Sequence, residues 1–231
     1  MKYIRKSETS PQYLIDWEVE NQSLLVGKNG PDQWDKFHGS EAKTKLQEQL
    51  AIEQGYICAY CNQSIHVGNP YDNERIRIEH LKPKSHPAYI TEVFNYTNLV
   101  GSCFGGEKYP TPRELHCDPK KGNQILHPDI FPTNPDCENQ LWIEFTPDGD
   151  GVILKGKSTE IDDSVEDVLN LNHPKLQVLR KKALEAWDFP TITPEEALGI
   201  IEIYQQRDEQ GKFRPFSGVI ITYITQMYLF Y

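Results

Sequence analysis

Apolar and polar residues alternate along this chain with two different periods, and the changes of period divide it into elements. Tyr13, Leu14 and Trp17 fall on one helical face in a stretch from Ser10-Pro11 to about Asn21, which predicts an N-terminal helix serving as a lid or docking element. Gly27 to Pro31 reads as a breaker cluster. Ser40 then caps a second helix with Leu46, Leu50 and Ile52 as its apolar positions, ending at Gly55. Residues 56 to 67 predict a knuckle hairpin. Residues 75 to 80, where Ile76 and Ile78 alternate with Arg75, Arg77 and Glu79, predict a strand. Thr97 to Val100 reads as the start of a helix or turn. Trp142 to Phe145 and Val152 to Leu154, joined through Pro147-Asp148-Gly149-Asp150-Gly151, predict a β-hairpin. Three helices follow, at about Pro174 to Trp187, Pro194 to Gln206 and Gly218 to Phe230. The last is very apolar yet too short for a comfortable membrane span.

The expectation is an α+β protein with no repeat and no low-complexity run. It divides into an N-terminal helical segment (1–40), a core (41–130) and a β-hairpin with a mostly helical C-terminal region (131–231). With 38% apolar and 25% charged residues, the 231-residue chain suits an ordered globular protein. The basic start, Met1 to Lys6, is not followed by the apolar core of a signal peptide, so the expected location is cytoplasmic, with no membrane partner.

Five cysteines are an odd number for a secreted disulfide framework. Cys58-Ala-Tyr-Cys61 followed by Cys103 and Cys117 instead suits a tetrahedral structural zinc site, with Cys137 as a spare thiol. His116 and His127 remain possible substitute ligands, and buried free cysteines are the plain alternative. The bracketed core, about 60 residues and rich in loops, needs such a staple because its own hydrophobic burial is marginal.

The net charge of −10 argues against a generic nucleic-acid coat protein, but it hides a reversal. From Arg75 to Lys121 eight basic residues face five acidic ones. From Asp129 to Leu169 eleven acidic residues face only Lys155 and Lys157. The first segment suits a phosphate backbone, and the second suits another partner or simply water.

Inside the bracket, Glu79-His80 is followed by Lys82-Pro83-Lys84-Ser85. Phosphodiester hydrolysis needs a base to deprotonate water, a divalent cation to stabilise developing charge, and cations to hold the backbone. His80 can supply the first, Glu79 with a second oxygen ligand the cation site, and Lys82 and Lys84 the last. Strand alternation puts Glu79 and His80 on opposite faces, so both serve one site only where the strand ends or bulges.

The order Cys58-x-x-Cys61, Glu79-His80-Leu81-x-Pro83-Lys84-Ser85, Tyr96-Thr97-Asn98-Leu99, Ser102-Cys103 and Cys117-Asp118-x-x-Lys121 resembles the HNH endonuclease superfamily. Within it, the late Cys-Asp-Pro-Lys-Lys-Gly-Asn run is similar to the PtuB-type HNH subunits of Septu anti-phage systems, which also accompany some retrons. The resemblance covers roughly residues 50 to 127. It implies a ββα-metal finger, with His80 as general base and Asn98 holding the His80 imidazole through its side-chain carbonyl. Glu79 and Asp118 would be ligands of a catalytic Mg²⁺ or Mn²⁺, and Lys121 a phosphate contact. It also implies DNA as the most favoured substrate, a companion ABC- or SMC-like ATPase of PtuA type, and in retron versions a reverse transcriptase with its DNA. The apolar C-terminal helix, the Tyr13/Leu14/Trp17 face and the acidic region are the docking candidates. Two departures stand out: thirteen residues separate Cys103 from Cys117, predicting an inserted loop around Gly105 to Pro112, and Asp118 replaces the usual His or Asn. The alternative is a zinc-stapled nucleic-acid-binding or adaptor subunit that does not cleave. No Walker A pattern occurs, so any nucleotide hydrolysis belongs to a partner.

Overall fold

The computed structural model describes residues 1–68, 76–107, 114–185 and 192–229. Arg75, Lys108 to Arg113 of the inserted loop, Trp187 and Phe230 lie outside the described residues.

The first helix, α1 (Gln12–Leu25), buries Leu14 and half-buries Tyr13 and Trp17, the face its spacing predicts. That face is not a docking surface, because Trp17 packs on Phe37 and Phe94 at centroid distances of 4.7 and 5.4 Å. The expected breaker at Gly27 to Pro31 instead starts a helix, α2 (Gly30–Phe37): the Asn29 side chain caps Asp32 N and Pro31 occupies the first turn, where its missing N–H costs nothing. Ser40 caps α3 (Glu41–Glu53), which buries Leu46 and Leu50 but leaves Ile52 half exposed.

The central sheet is an antiparallel pair, β1 (Arg77–His80) and β2 (Leu99–Ser102), with Glu79 opposite Val100 and His80 opposite Leu99. The strand β2 replaces the helix or turn expected at Thr97 to Val100, since Thr97 and Asn98 sit in a 3₁₀ turn and the strand starts one residue later. The Gln54 side chain, buried at the end of α3, holds this sheet to the cysteine knuckle. Its amide donates to the carbonyls of Ile57 and Gly101 and accepts from Gly101 N, replacing a missing strand neighbour.

A one-turn helix, α4 (Cys117–Lys121), follows the insertion and brings Asp118 and Lys121 to the sheet. The predicted hairpin forms as β3 (Leu141–Phe145) and β4 (Val152–Gly156). After it come α5 (Thr159–Asp163), which continues into a π-helical turn at Ser164–Val168, then α6 (Pro174–Glu185), α7 (Pro194–Gln205) and α8 (Ser217–Tyr228). α8 buries six of its twelve residues against α7, α6 and β3, so much of its apolar character is spent within the fold. Among the described residues no helix is long and apolar enough to cross a membrane.

Arg180 of α6 is fully buried. Its guanidinium donates to the carbonyls of Val152 and Leu171 and to Asn172 Oδ1, while its Nε has no hydrogen-bond partner among the described residues. Among the described residues no carboxylate forms an ion pair with it. The Cys61 and Cys117 sulfurs are the leading favourable charges it meets, set against a burial that lowers its pKa to about 10. Leu169 O accepts the Cys117 N–H and the Asn170 amide donates to Leu115 O, so the segment before α6 is fastened to the last cysteine.

Candidate functional site

Cys58, Cys61, Cys103 and Cys117 are all buried, and their sulfurs lie within 4.8 Å of one another. The Cys61–Cys103 and Cys58–Cys117 separations are 3.7 and 4.0 Å. Disulfides need about 2 Å, whereas metal–sulfur bonds of about 2.3 Å directed tetrahedrally put sulfurs about 3.8 Å apart. The cluster therefore fits a metal such as zinc. The thirteen-residue insertion does not prevent Cys117 from joining, because Cys117 adopts a left-handed backbone (φ 57°) that turns the chain back to the knuckle. Cys103 N–H donates to Cys58 Sγ at 3.3 Å, and His116 Nδ1 lies 3.2 Å from Cys117 Sγ. His116 thus touches a ligand sulfur from outside the set, and His127 caps a turn beginning at Pro128. Cys137 is buried elsewhere, its thiol pushed up to about 11 chiefly by burial.

The acid-His pair lies at the end of β1, and both residues are buried, because the strand stops at His80 instead of continuing its alternation. His80 Nε2 is 3.0 Å from the carbonyl of Val93. A carbonyl only accepts, so Nε2 carries the proton and Nδ1 keeps its lone pair. Trp34 packs edge-on against the imidazole at 4.5 Å, and burial, more than the nearby Lys84, holds the ring's pKa to about 3. Glu79 takes hydrogen bonds at its Oε1 from Tyr60 (3.0 Å) and Lys121 (2.8 Å). Burial first, and then the neighbouring Asp118 charge, push its pKa up to about 8, with Lys121 opposing. Asp118 is held by Arg77 Nε at 2.6 Å, and Arg77 also bridges to Glu107. Two carboxylates crowded to this extent can share a divalent cation, and oxygen donors suit Mg²⁺ or Mn²⁺. Both open onto a groove of about 280 Å³ that Lys84 also lines.

No family profile matches the chain. It is 32% identical over 175 residues to a Vibrio cholerae serotype O1 biovar El Tor protein named "Retron Vc95 putative HNH endonuclease", covering 73% of this chain and 78% of that one. The chain belongs to the HNH endonuclease family. An Escherichia coli protein named "Retron Ec83 putative HNH endonuclease" is 28% identical over 216 residues, covering 80% of this chain and 79% of that one.

Against the family expectation, the structure brings Glu79, His80, Asp118 and Lys84 to one groove and leaves three residues elsewhere. Asn98, expected on the His80 imidazole, spends its amide on backbone: Oδ1 accepts from Lys82 N, and Nδ2 donates to the carbonyls of Lys82 and Glu92. It closes the loop whose next residue, Val93, holds His80, and so acts one layer out. Lys121, expected on phosphate, is only 1% exposed, and its ammonium is committed to Glu79 and the His80 carbonyl. Lys82 reaches Glu92 at 3.5 Å and lines a different groove, beside Lys6 and Phe131. Sequence reasoning missed Trp34, Tyr60, Arg77 and the Val93 carbonyl. Only Tyr60, fixed between two cysteines, had a spacing that could have pointed to it.

Proposed function

We propose that this protein is a metal-dependent HNH endonuclease that hydrolyses phosphodiester bonds of DNA on a ββα-metal finger formed by β1, β2 and α4. The observation that carries the reading is the meeting of a neutral His80 and the Glu79/Asp118 pair in one groove. His80, with its free Nδ1, is the base that takes the proton from attacking water, and Val93 O fixes its tautomer. Glu79 and Asp118 would hold Mg²⁺ or Mn²⁺, which supplies Lewis-acid stabilisation of charge developing on the phosphate and leaving oxygen. Tyr60, Lys121 and Arg77 keep the two carboxylates in place, Lys84 contacts phosphate, and Cys58, Cys61, Cys103 and Cys117 hold structural zinc away from the chemistry.

The retron names of the two relatives support a retron setting, with a reverse transcriptase and its DNA as partners; the resemblance of the motif run to PtuB-type subunits is what suggests an anti-phage effector of Septu type under a PtuA-type regulatory ATPase. A non-cleaving adaptor is the second reading, favoured by one observation: Lys121 and Arg77 already occupy the carboxylates that the cation would need. Cleavage of supercoiled plasmid by the purified chain, with and without the ATPase, separates the two. Nicking that requires Mg²⁺ or Mn²⁺ supports the endonuclease, and intact plasmid in every divalent metal even with the partner supports the adaptor.

A further inference from the structure

A nuclease groove must hold more of the backbone than the phosphate being cut, yet of the three lysines expected on phosphate only Lys84 lines the groove of Glu79 and Asp118. Arg77 lines it too, two residues before Glu79 on β1 and so on the same face of the strand. Its guanidinium is divided between two acids. Nε donates to Asp118 Oδ2 at 2.6 Å, and Nη1 donates to Glu107 Oε2.

The two pairs differ in their surroundings. The Asp118 side chain is 13% exposed, so that pair is shielded and fixes the plane of the guanidinium, whereas the Glu107 side chain is 49% exposed. An ion pair so open to water contributes little and exchanges readily. A phosphodiester oxygen offers the same guanidinium edge a charge-assisted hydrogen bond, and Arg77 keeps Asp118 through Nε while Nη1 makes the exchange.

Glu107 belongs to the thirteen-residue insertion between Cys103 and Cys117, the segment that sets this chain apart from the usual HNH spacing. The base of the insertion is tied down. Glu107 N–H donates to Phe104 O and His116 N–H to Gly105 O, both at 2.9 Å, and the Phe104 ring centroid lies 5.3 Å from the Arg77 guanidinium. Gly106 runs so close to the Glu114 carbonyl that a Cβ there would overlap it. With the backbone held in this way, release of Arg77 needs only a rotation of the Glu107 side chain into solvent.

Resting on the nuclease reading, we propose that Glu107 is an acidic latch: in the DNA-free protein it occupies the edge of Arg77 that a backbone phosphate takes in the complex. Arg77 is then the second phosphate contact of the groove beside Lys84, and the insertion makes DNA displace a carboxylate before it is gripped. The exchange reads charge and geometry, without base readout.

The test is fluorescence anisotropy of a labelled DNA duplex with the full-length His80→Ala protein across a salt series, without added divalent metal. Adding Glu107→Gln should tighten binding severalfold. Glu20→Gln, which removes the same charge from an exposed position of α1 outside the groove, should change affinity little. Adding Arg77→Gln should weaken binding severalfold and make the log–log salt slope shallower by about one unit. The deciding comparison is Glu107→Gln in the Arg77→Gln background, where most of its gain should vanish. Arg77→Lys, which keeps the charge but loses the fork, should shrink the gain in the same way and serves where Arg77→Gln lowers the melting temperature. An equal gain in both backgrounds reduces Glu107 to a repelling charge and overturns the latch, as does no gain in either. Metal-dependent plasmid nicking by the wild-type chain alongside such a result leaves the nuclease reading standing, whereas a parent protein that binds no DNA overturns both.

Discussion

Tyr60, one of two residues between the knuckle cysteines, donates its hydroxyl to Glu79 Oε1 at 3.0 Å, and its ring is fully buried. The cysteine cluster and the acid-His pair are therefore mechanically joined: the knuckle sets where Tyr60 points, and Tyr60 helps set where Glu79 points. Tyr60→Phe keeps the ring and removes only the hydroxyl. We expect it to retain full zinc content, to lose about 1–2 kcal/mol of stability, and to cleave more slowly at saturating Mn²⁺. Wild-type cleavage by this variant would show that Lys121 alone positions the acid.

Gly30 starts α2 against the loop after β1, where an added Cβ would overlap the carbonyl oxygen of Lys84. Backbone meets backbone there, so no side-chain rotation relieves the clash. Gly30→Ala should cost about 1–3 kcal/mol in a urea titration and impair DNA binding through displacement of Lys84. A melting curve and binding isotherm equal to wild type would show that α2 is free to move off the loop.

The motif residues were readable because chemistry fixes their spacing: two cysteines in a knuckle, an acid beside a histidine, an acid after the last cysteine. Apart from Tyr60, the residues that support them were not readable, because each depends on contacts between distant segments. Trp34 reaches His80 from a helix hidden behind Gly30-Pro31, a pair that reads as a breaker unless Asn29 is recognised as a cap. Lys121 follows a phosphate-contact pattern, yet the short α4 turns it inward onto Glu79. The Val93 carbonyl has no side-chain signature at all, and neither does the demotion of Asn98 to a loop clasp.

Arg180 is buried with no acid paired to it among the described residues, and the cysteine sulfurs are the favourable charges it meets most strongly. A metal held by four thiolates carries net negative charge, so the guanidinium gains its counter-charge when the cluster is loaded. Arg180→Met should lower stability by about 3 kcal/mol and speed zinc loss to a chromophoric chelator. An unchanged rate of zinc loss would detach α6 from the metal centre.

His80 gives a pH signature whose sign can be stated in advance. Its folded pKa, about 3, lies below the unfolded value of 6.5, so below pH 6.5 the unfolded chain takes up a proton that the folded chain refuses. Stability is therefore intact above 6.5 and falls as pH drops toward 3. Between pH 7 and pH 5 the loss is about 2 kcal/mol, and His80→Gln should be spared it. Glu79, with its raised folded value of about 8, slopes the opposite way above 4.5 but is present in both proteins, so the difference between them isolates His80. Equal pH dependence in paired urea titrations would show that the imidazole is not held neutral.

The central claim is that the cysteines carry structure while Glu79, His80 and Asp118 carry chemistry. Its most direct test is the rate of plasmid cleavage in Mn²⁺ by wild type and His80→Ala, on preparations whose zinc content has been matched and which are both folded at the assay temperature. The account predicts that wild type cleaves and that His80→Ala, equally zinc-loaded and still folded, does not. Undiminished cleavage by His80→Ala would contradict it.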